Sequence, residues 1–153
     1  MRAQLARYNP WVILVVDDEK DIRNLVRLLA ERAGYRVTEA ANAQEALAIL
    51  QERVFEPQLL LTDIVMPGMS GLSLAAQAHH MKPTLPVIFM SGFANEYQDE
   101  LSGSVCLRKP FKAAELLTAI QDVIGVPHAA RKSDKKGQTA DCDLPVNQTD
   151  SAI

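Results

Sequence analysis

Several things are scarce in this chain, and each scarcity excludes something. No apolar run approaches the about 18 residues of a membrane span. The first run, residues 11–16, stops at two aspartates. Arg2 and Arg7 precede it, but it is shorter than the about 7 apolar residues of an export signal and has no small-residue cleavage site. A cytoplasmic protein with no membrane partner is therefore expected. Only 2 cysteines occur, Cys106 and Cys142, with no CxxC and no Cys/His cluster. They read as reduced thiols, not as a disulfide framework. Aromatic residues make up 5% of the chain; Trp11 and Tyr35 read as scattered, with no stacking platform for bases. No G-x-G-x-x-G or P-loop follows the first apolar run, so a nucleotide-binding domain is disfavoured. The net charge of −3 argues against DNA as a partner. Arg131, Lys132, Lys135 and Lys136 read as a solvated stretch. His79 and His80 have no third ligand at metal-binding spacing and read as helix surface.

What is present is a regular alternation. The 153 residues suffice for one domain, and 48% are hydrophobic, enough for a sizeable core. Short strand-like runs fall at residues 12–16, 36–40, 59–61, 87–90 and 105–107. Between them lie helical patterns. Ile22, Leu25, Val26, Leu29 and Ala33 recur at helical spacing, and Gly34 is the expected stop. Asn42 with Glu45 resembles a capping box before Ala46, Leu47 and Leu50. Pro67, Gly68 and Gly71 read as a loop before a helix whose face is Leu72, Ala75, Ala76 and His79. A short helix is expected at residues 95–101, and Leu116, Leu117, Ile120 and Ile124 mark the last. Five β-α units in series imply an α/β fold: a parallel sheet with helices on both faces, doubly wound. The expected division is an N-terminal extension at 1–10, the domain at 11–125 and a polar C-terminal tail at 126–153.

The chemistry sits at strand ends. Asp17 and Asp18 end the first run, Asp63 ends the third, and Lys109 follows the fifth and precedes Pro110. Strand C-termini share one edge of a parallel sheet, so these groups converge there. Three carboxylates together repel one another unless a divalent cation sits among them. A lysine beside them supplies a charge for an anion. This is equipment for holding Mg²⁺ and a phosphoryl group together.

With the strands placed, the sequence resembles the receiver domain of bacterial response regulators, the CheY-like family, from about Trp11 to Ile124. The motifs are Asp17-Asp18 after strand one, Asp63-Ile64-Val65-Met66-Pro67 with Gly71 after strand three, Ser91 after strand four, and Lys109-Pro110-Phe111 after strand five. The resemblance implies a flavodoxin-like five-stranded sheet of order 2-1-3-4-5. It implies that Asp63 accepts the phosphoryl group as an acyl phosphate. Asp18, Asp63 and the backbone carbonyl of Ile64 would ligate Mg²⁺, with Asp17 acting mostly through a metal-bound water. Lys109 and Ser91 would each engage a phosphoryl oxygen, and Lys109-Pro110 would be a cis peptide.

The chain also departs from the pattern. Cys106 stands where the family commonly has the aromatic residue that switches with Ser91, and Phe93 is the remaining candidate for part of that role. The stretch from Ser91 to Lys109 is slightly short, implying a reduced fourth helix and an altered output face. Val65 is apolar and cannot orient a hydrolytic water. The expected function is a single-domain response regulator in a two-component system or phosphorelay. It would receive phosphate from a histidine kinase or a histidine phosphotransfer protein, then signal by protein contact to a target the sequence does not name, or pass the phosphate on. The residues after Ile124 are too few for an output domain. It would catalyse only its own phosphorylation and slow dephosphorylation. Haloacid-dehalogenase-like phosphatases share an aspartate nucleophile, Mg²⁺, Ser/Thr and Lys, but they carry D-x-D after the first strand, where this chain has Asp17-Asp18-Glu19. A homodimer is expected away from the family's commonest surface, with Val126, Pro127, Leu144, Pro145 and Val146 of the tail packing on the neighbouring subunit.

Overall fold

In the computed structural model the described residues are 11–52, 54–101 and 103–127, the side chains of residues 94 and 95 excepted. The expected tail residues Leu144, Pro145 and Val146, and the four basic residues before them, lie outside the described residues. In chain order the elements are β1 (Val12–Val16), α1 (Lys20–Arg32), β2 (Arg36–Ala40), α2 (Ala43–Gln51), β3 (Leu59–Asp63), α3 (Gly71–Met81), β4 (Val87–Ser91), a 3₁₀ turn (Ala94–Tyr97), β5 (Val105–Arg108) and α4 (Ala113–Ile124). The strands form one sheet, parallel as the alternation of elements implies, in the order β2-β1-β3-β4-β5 that the resemblance implies.

Side-chain alternation along the strands builds the two layers. Ile13, Val15, Leu59 and Leu61 join Val26 and Ala30 of α1 and Leu116 and Ile120 of α4 on one face. Leu14, Val16 and Leu60 join Ala43, Ala46 and Leu50 of α2 and Leu74 and Ala78 of α3 on the other. A strand covered on both faces has no polar side to present, which is why β1 and β3 read as unbroken apolar runs.

The helix starts are fixed locally. Asn42 accepts the Glu45 N–H at 2.8 Å, and Glu45 accepts the Ala41 N–H at 2.8 Å, a reciprocal cap at the start of α2. Ser70 accepts the Ser73 N–H at the start of α3. Glu115 accepts the Lys112 N–H at the start of α4. Gly34, at φ +98°, turns the chain after α1 in a backbone region that favours glycine.

Several expectations need correction. Gly71 is the first residue of α3, not part of the preceding loop, and it faces inward. The buried stripe of that helix is therefore Gly71, Leu74, Ala75 and Ala78, with Ala76 and His79 exposed. On α1 the buried stripe centres on Val26 and Ala30, which leaves Leu25 beyond its edge and 43% exposed. Trp11 and Tyr35 are not scattered; their ring centroids lie 6.4 Å apart at a tilt of 34°. They pack against the α1–α4 layer. Pro127 is buried in its own domain beside Gly34, and Tyr35 Oη donates to the Gly125 carbonyl at 2.5 Å. The domain therefore runs past residue 125, and Pro127 is not free to pack on a neighbour. The expected helix at 95–101 is a single 3₁₀ turn, Ala94–Tyr97, in line with a reduced fourth helix.

Candidate functional site

Parallel register brings the ends of β1, β3, β4 and β5 to one edge: Val16 pairs with Thr62, Asp63 with Met90, and Ser91 with Arg108. Asp17 follows β1 directly and is completely buried. Both of its carboxylate oxygens are engaged. Oδ1 accepts the Glu19 N–H at 2.9 Å, and Oδ2 accepts from Lys109 Nζ at 2.8 Å. Asp63, the last residue of β3, is 6% exposed, and its Oδ2 lies 3.3 Å from the same ammonium. Asp18 is exposed and enters neither pair. One oxygen from each of the three carboxylates lies within 4.8 Å of the others.

Lys109 reaches this cluster from the far side of the sheet centre. Its N–H donates to the Ser91 carbonyl at 2.9 Å, which ties the end of β5 to the end of β4. The Lys109-Pro110 peptide is cis. Burial works against the ammonium, but the hydrogen bond to Asp17 and the charges of Asp17 and Asp63 outweigh it and hold Lys109 above its ordinary pKa of 10.5. Burial pushes the Asp63 carboxyl above its ordinary 3.8; Lys109 opposes this, and the neighbouring charges of Asp17 and Asp18 add to it. Without a cation, the site thus holds more negative charge than one ammonium offsets.

Gly71 is required by proximity. A Cβ there would sit 1.9 Å from the Asp63 carbonyl oxygen, so the start of α3 abuts the backbone of the acidic strand end. The Gly71 N–H donates to the Ile64 carbonyl at 2.8 Å. That oxygen, expected as a metal ligand, thus gives one of its two lone pairs to closing the loop. The next carbonyl, on half-exposed Val65, accepts no hydrogen bond among the described residues.

The expected switch residues are only partly gathered. Ser91 is buried, and its Oγ accepts the Phe93 N–H at 2.9 Å; the Phe93 ring is 61% exposed. Cys106 pairs with Phe89, one turn of the pleat back from the cluster. It packs against the apolar group of Ile64, Ala75, Phe89 and Leu101. Burial pushes its thiol up. Two contributors escaped the sequence reading: Arg23, whose Nη1 donates to the Asp17 carbonyl at 2.6 Å, and Thr62, whose hydroxyl donates to the Asp63 carbonyl. A basic residue one turn into α1, six positions after a buried acid, was the available signal for Arg23.

Residues 13–121 match the family profile of the response regulator receiver domain. The chain belongs to the response regulator receiver family. It is 39% identical over 116 residues to the response regulator receiver protein CpdR of Brucella abortus, covering 73% of this chain and 95% of that protein. Among solved receivers it is similar to TrrA of Thermotoga maritima, crystallised with Mg²⁺-BeF (TM-score 0.67, 31% identity, 74% of this chain and 99% of that one). It is also similar to the receiver domain of the hybrid histidine kinase CckA (TM-score 0.65, 34% identity, 74% and 98%). Receiver domains are phosphoacceptors that bind Mg²⁺ in an acidic pocket, and this receiver has the matching three-aspartate cluster. The donor set fits a hard cation, which takes carboxylate and carbonyl oxygens and retains waters. Among the described residues, no helix is long and apolar enough to cross a membrane.

Proposed function

We propose that this receiver is a single-domain response regulator of the cytoplasm, phosphorylated on Asp63 by a histidine kinase or a histidine phosphotransfer protein. The observation that carries the reading is the placement of Lys109: one ammonium lies between buried Asp17 and Asp63, with exposed Asp18 beside them. The match to CpdR over 95% of that protein's length supports the single-domain form.

In the proposed reaction, an Asp63 carboxylate oxygen attacks the phosphorus of a phosphohistidine. The P–N bond breaks as the acyl phosphate forms, and the imidazole leaves. Asp18 and Asp63 would hold Mg²⁺, with the Val65 carbonyl better placed than that of Ile64 to complete the protein's share. Asp17, with both oxygens taken, would act through water. When bound, the cation neutralises charge on the transferring phosphoryl group. Lys109 holds one phosphoryl oxygen, and the Ser91 hydroxyl gives up its bond from Phe93 to meet another. With Cys106 in place of an aromatic and Phe93 at the surface, the response reaches a protein target through the loop after β4 or ends in onward transfer of the phosphate. The reading also includes a homodimer formed away from the usual output face.

The test is phosphotransfer from each autophosphorylated histidine kinase and phosphotransfer protein of the source organism. At least one donor should label the wild-type chain rapidly and leave Asp63→Asn unlabelled. A chain that no donor labels, or one labelled equally in the variant, would refute the proposal.

A further inference from the structure

Asp18 is the one carboxylate of the cluster that no side chain holds: no hydrogen bond or ion pair among the described residues involves its oxygens. Its place within 4.8 Å of Asp17 and Asp63 is therefore set by its backbone. The backbone on either side of it is held at three points. The Asp17 N–H donates to the Ala40 carbonyl at 3.3 Å, and the Glu19 N–H donates to Asp17 Oδ1 at 2.9 Å. The peptide that joins the two aspartates is itself gripped at one atom, the Asp17 carbonyl, which accepts from Arg23 Nη1 at 2.6 Å. Arg23 is itself anchored. Its side chain is 15% exposed, and its Nε lies 3.7 Å from Glu39 Oε1 on β2. The other Glu39 oxygen accepts from Arg27 Nη1 at 2.8 Å. The guanidinium is thus braced by β2 while it grips the turn that leaves β1.

We infer that Arg23 is a positioning residue for the cation site, aiming the Asp18 carboxylate by fixing the Asp17 carbonyl. The inference rests on the reading of this cluster as a Mg²⁺ site. Charge and geometry make opposite predictions here. A guanidinium near three carboxylates repels a dication, so an effect through charge alone means that deleting it strengthens Mg²⁺ binding. An effect through position means that deleting it weakens binding.

The experiment is calorimetric titration of the full chain with Mg²⁺, alongside exchange of the Glu19 amide, which Asp17 Oδ1 holds, without metal. Arg23→Met, of similar length but with no donor, should weaken Mg²⁺ about tenfold, the value of one hydrogen bond to a charged group, and should speed exchange at that amide. Arg23→Lys, which keeps a cationic donor, should recover most of the loss. Arg27→Met shares Glu39 but does not touch the turn, and should bind Mg²⁺ as well as wild type. If Arg23→Met does not fold, Arg23→Gln takes its place with the same expected sign. Unchanged or tighter binding in the Arg23 variant, or an equal loss in Arg27→Met, overturns the inference alone. A wild-type chain that takes up no Mg²⁺, or one indifferent to Asp18→Ala, overturns the cation-site reading and this inference with it.

Discussion

Lys109 offsets two carboxylates at once, and the consequences differ for each partner. Asp17 is fully buried and has no solvent to fall back on. Replacing Lys109 by Met therefore leaves an uncompensated buried charge, and should lower the stability of the metal-free protein by about 3 kcal/mol. The expected drop in melting temperature is roughly 4 °C for each kcal/mol. Because the folded state raises the Lys109 pKa, its stabilisation is complete below 10.5 and lost only as the pH climbs through the higher folded value. Asp63 has the opposite sense. Its folded pKa is raised from 3.8, so ionising it costs stability, and this cost is absent below 3.8 and complete above the folded value. Asp63→Asn should therefore melt higher than wild type at neutral pH without metal, and the gap should close as the pH falls toward 3.8. Saturating Mg²⁺ should stabilise wild type more than the variant. Thermal unfolding across pH, with and without Mg²⁺, checks both; an Asp63→Asn protein that melts lower at pH 7 without metal contradicts this account of the site's charge.

At the scale of the element, α3 is placed by its first residue. The Cβ of Gly71→Ala would fall 1.9 Å from a backbone oxygen, which cannot rotate away as a side chain can. The helix start or the end of β3 must move, at a cost of about 2–3 kcal/mol. Ser70→Ala, which removes only the cap, should cost about 1 kcal/mol. Urea unfolding of the two variants would rank them, and a Gly71→Ala no worse than Ser70→Ala would contradict the close approach. The same glycine shows what the sequence could and could not reveal. It is visible as part of D-x-x-M-P-x-x-x-G, but its residue type points to a loop, because glycine is a poor helix former. Only the packing of α3 on β3 makes it the inward first residue, and that single placement rotates the apolar face away from Ala76 and His79. Periodicity gave the phase of α1 to within one residue, misplacing Leu25 at the stripe's edge. The strands were legible because both faces are buried. Asp17, Asp63 and Lys109 were legible as positions, but not the sharing of one ammonium between two carboxylates, which depends on register across four strands.

For the whole molecule, the first and last described residues, Trp11 and Pro127, lie at the edge of the sheet opposite the site. Trp11, before β1, pairs with Tyr35, and Tyr35 bonds to Gly125 while Pro127 covers Gly34. A chain ending after Pro127 keeps all of these contacts. One ending after Ile124 should lose about 1–2 kcal/mol, since it strips a buried hydroxyl of its acceptor. Equal melting of the two would remove these contacts from the account. Light scattering of the full chain and of the chain ending after Pro127 addresses the dimer: a dimer in the first and a monomer in the second assigns the interface to later residues, and a full chain that stays monomeric at high concentration rules it out. The central proposal for the molecule is that Asp63 is the residue phosphorylated. The most direct measurement is intact mass and peptide mapping of the full chain after incubation with acetyl phosphate and Mg²⁺. The account predicts the mass of one phosphoryl group, borne on Asp63, dependent on Mg²⁺ and lost in Asp63→Asn. A phosphoryl group mapped to another residue, or one gained equally by Asp63→Asn, would contradict it.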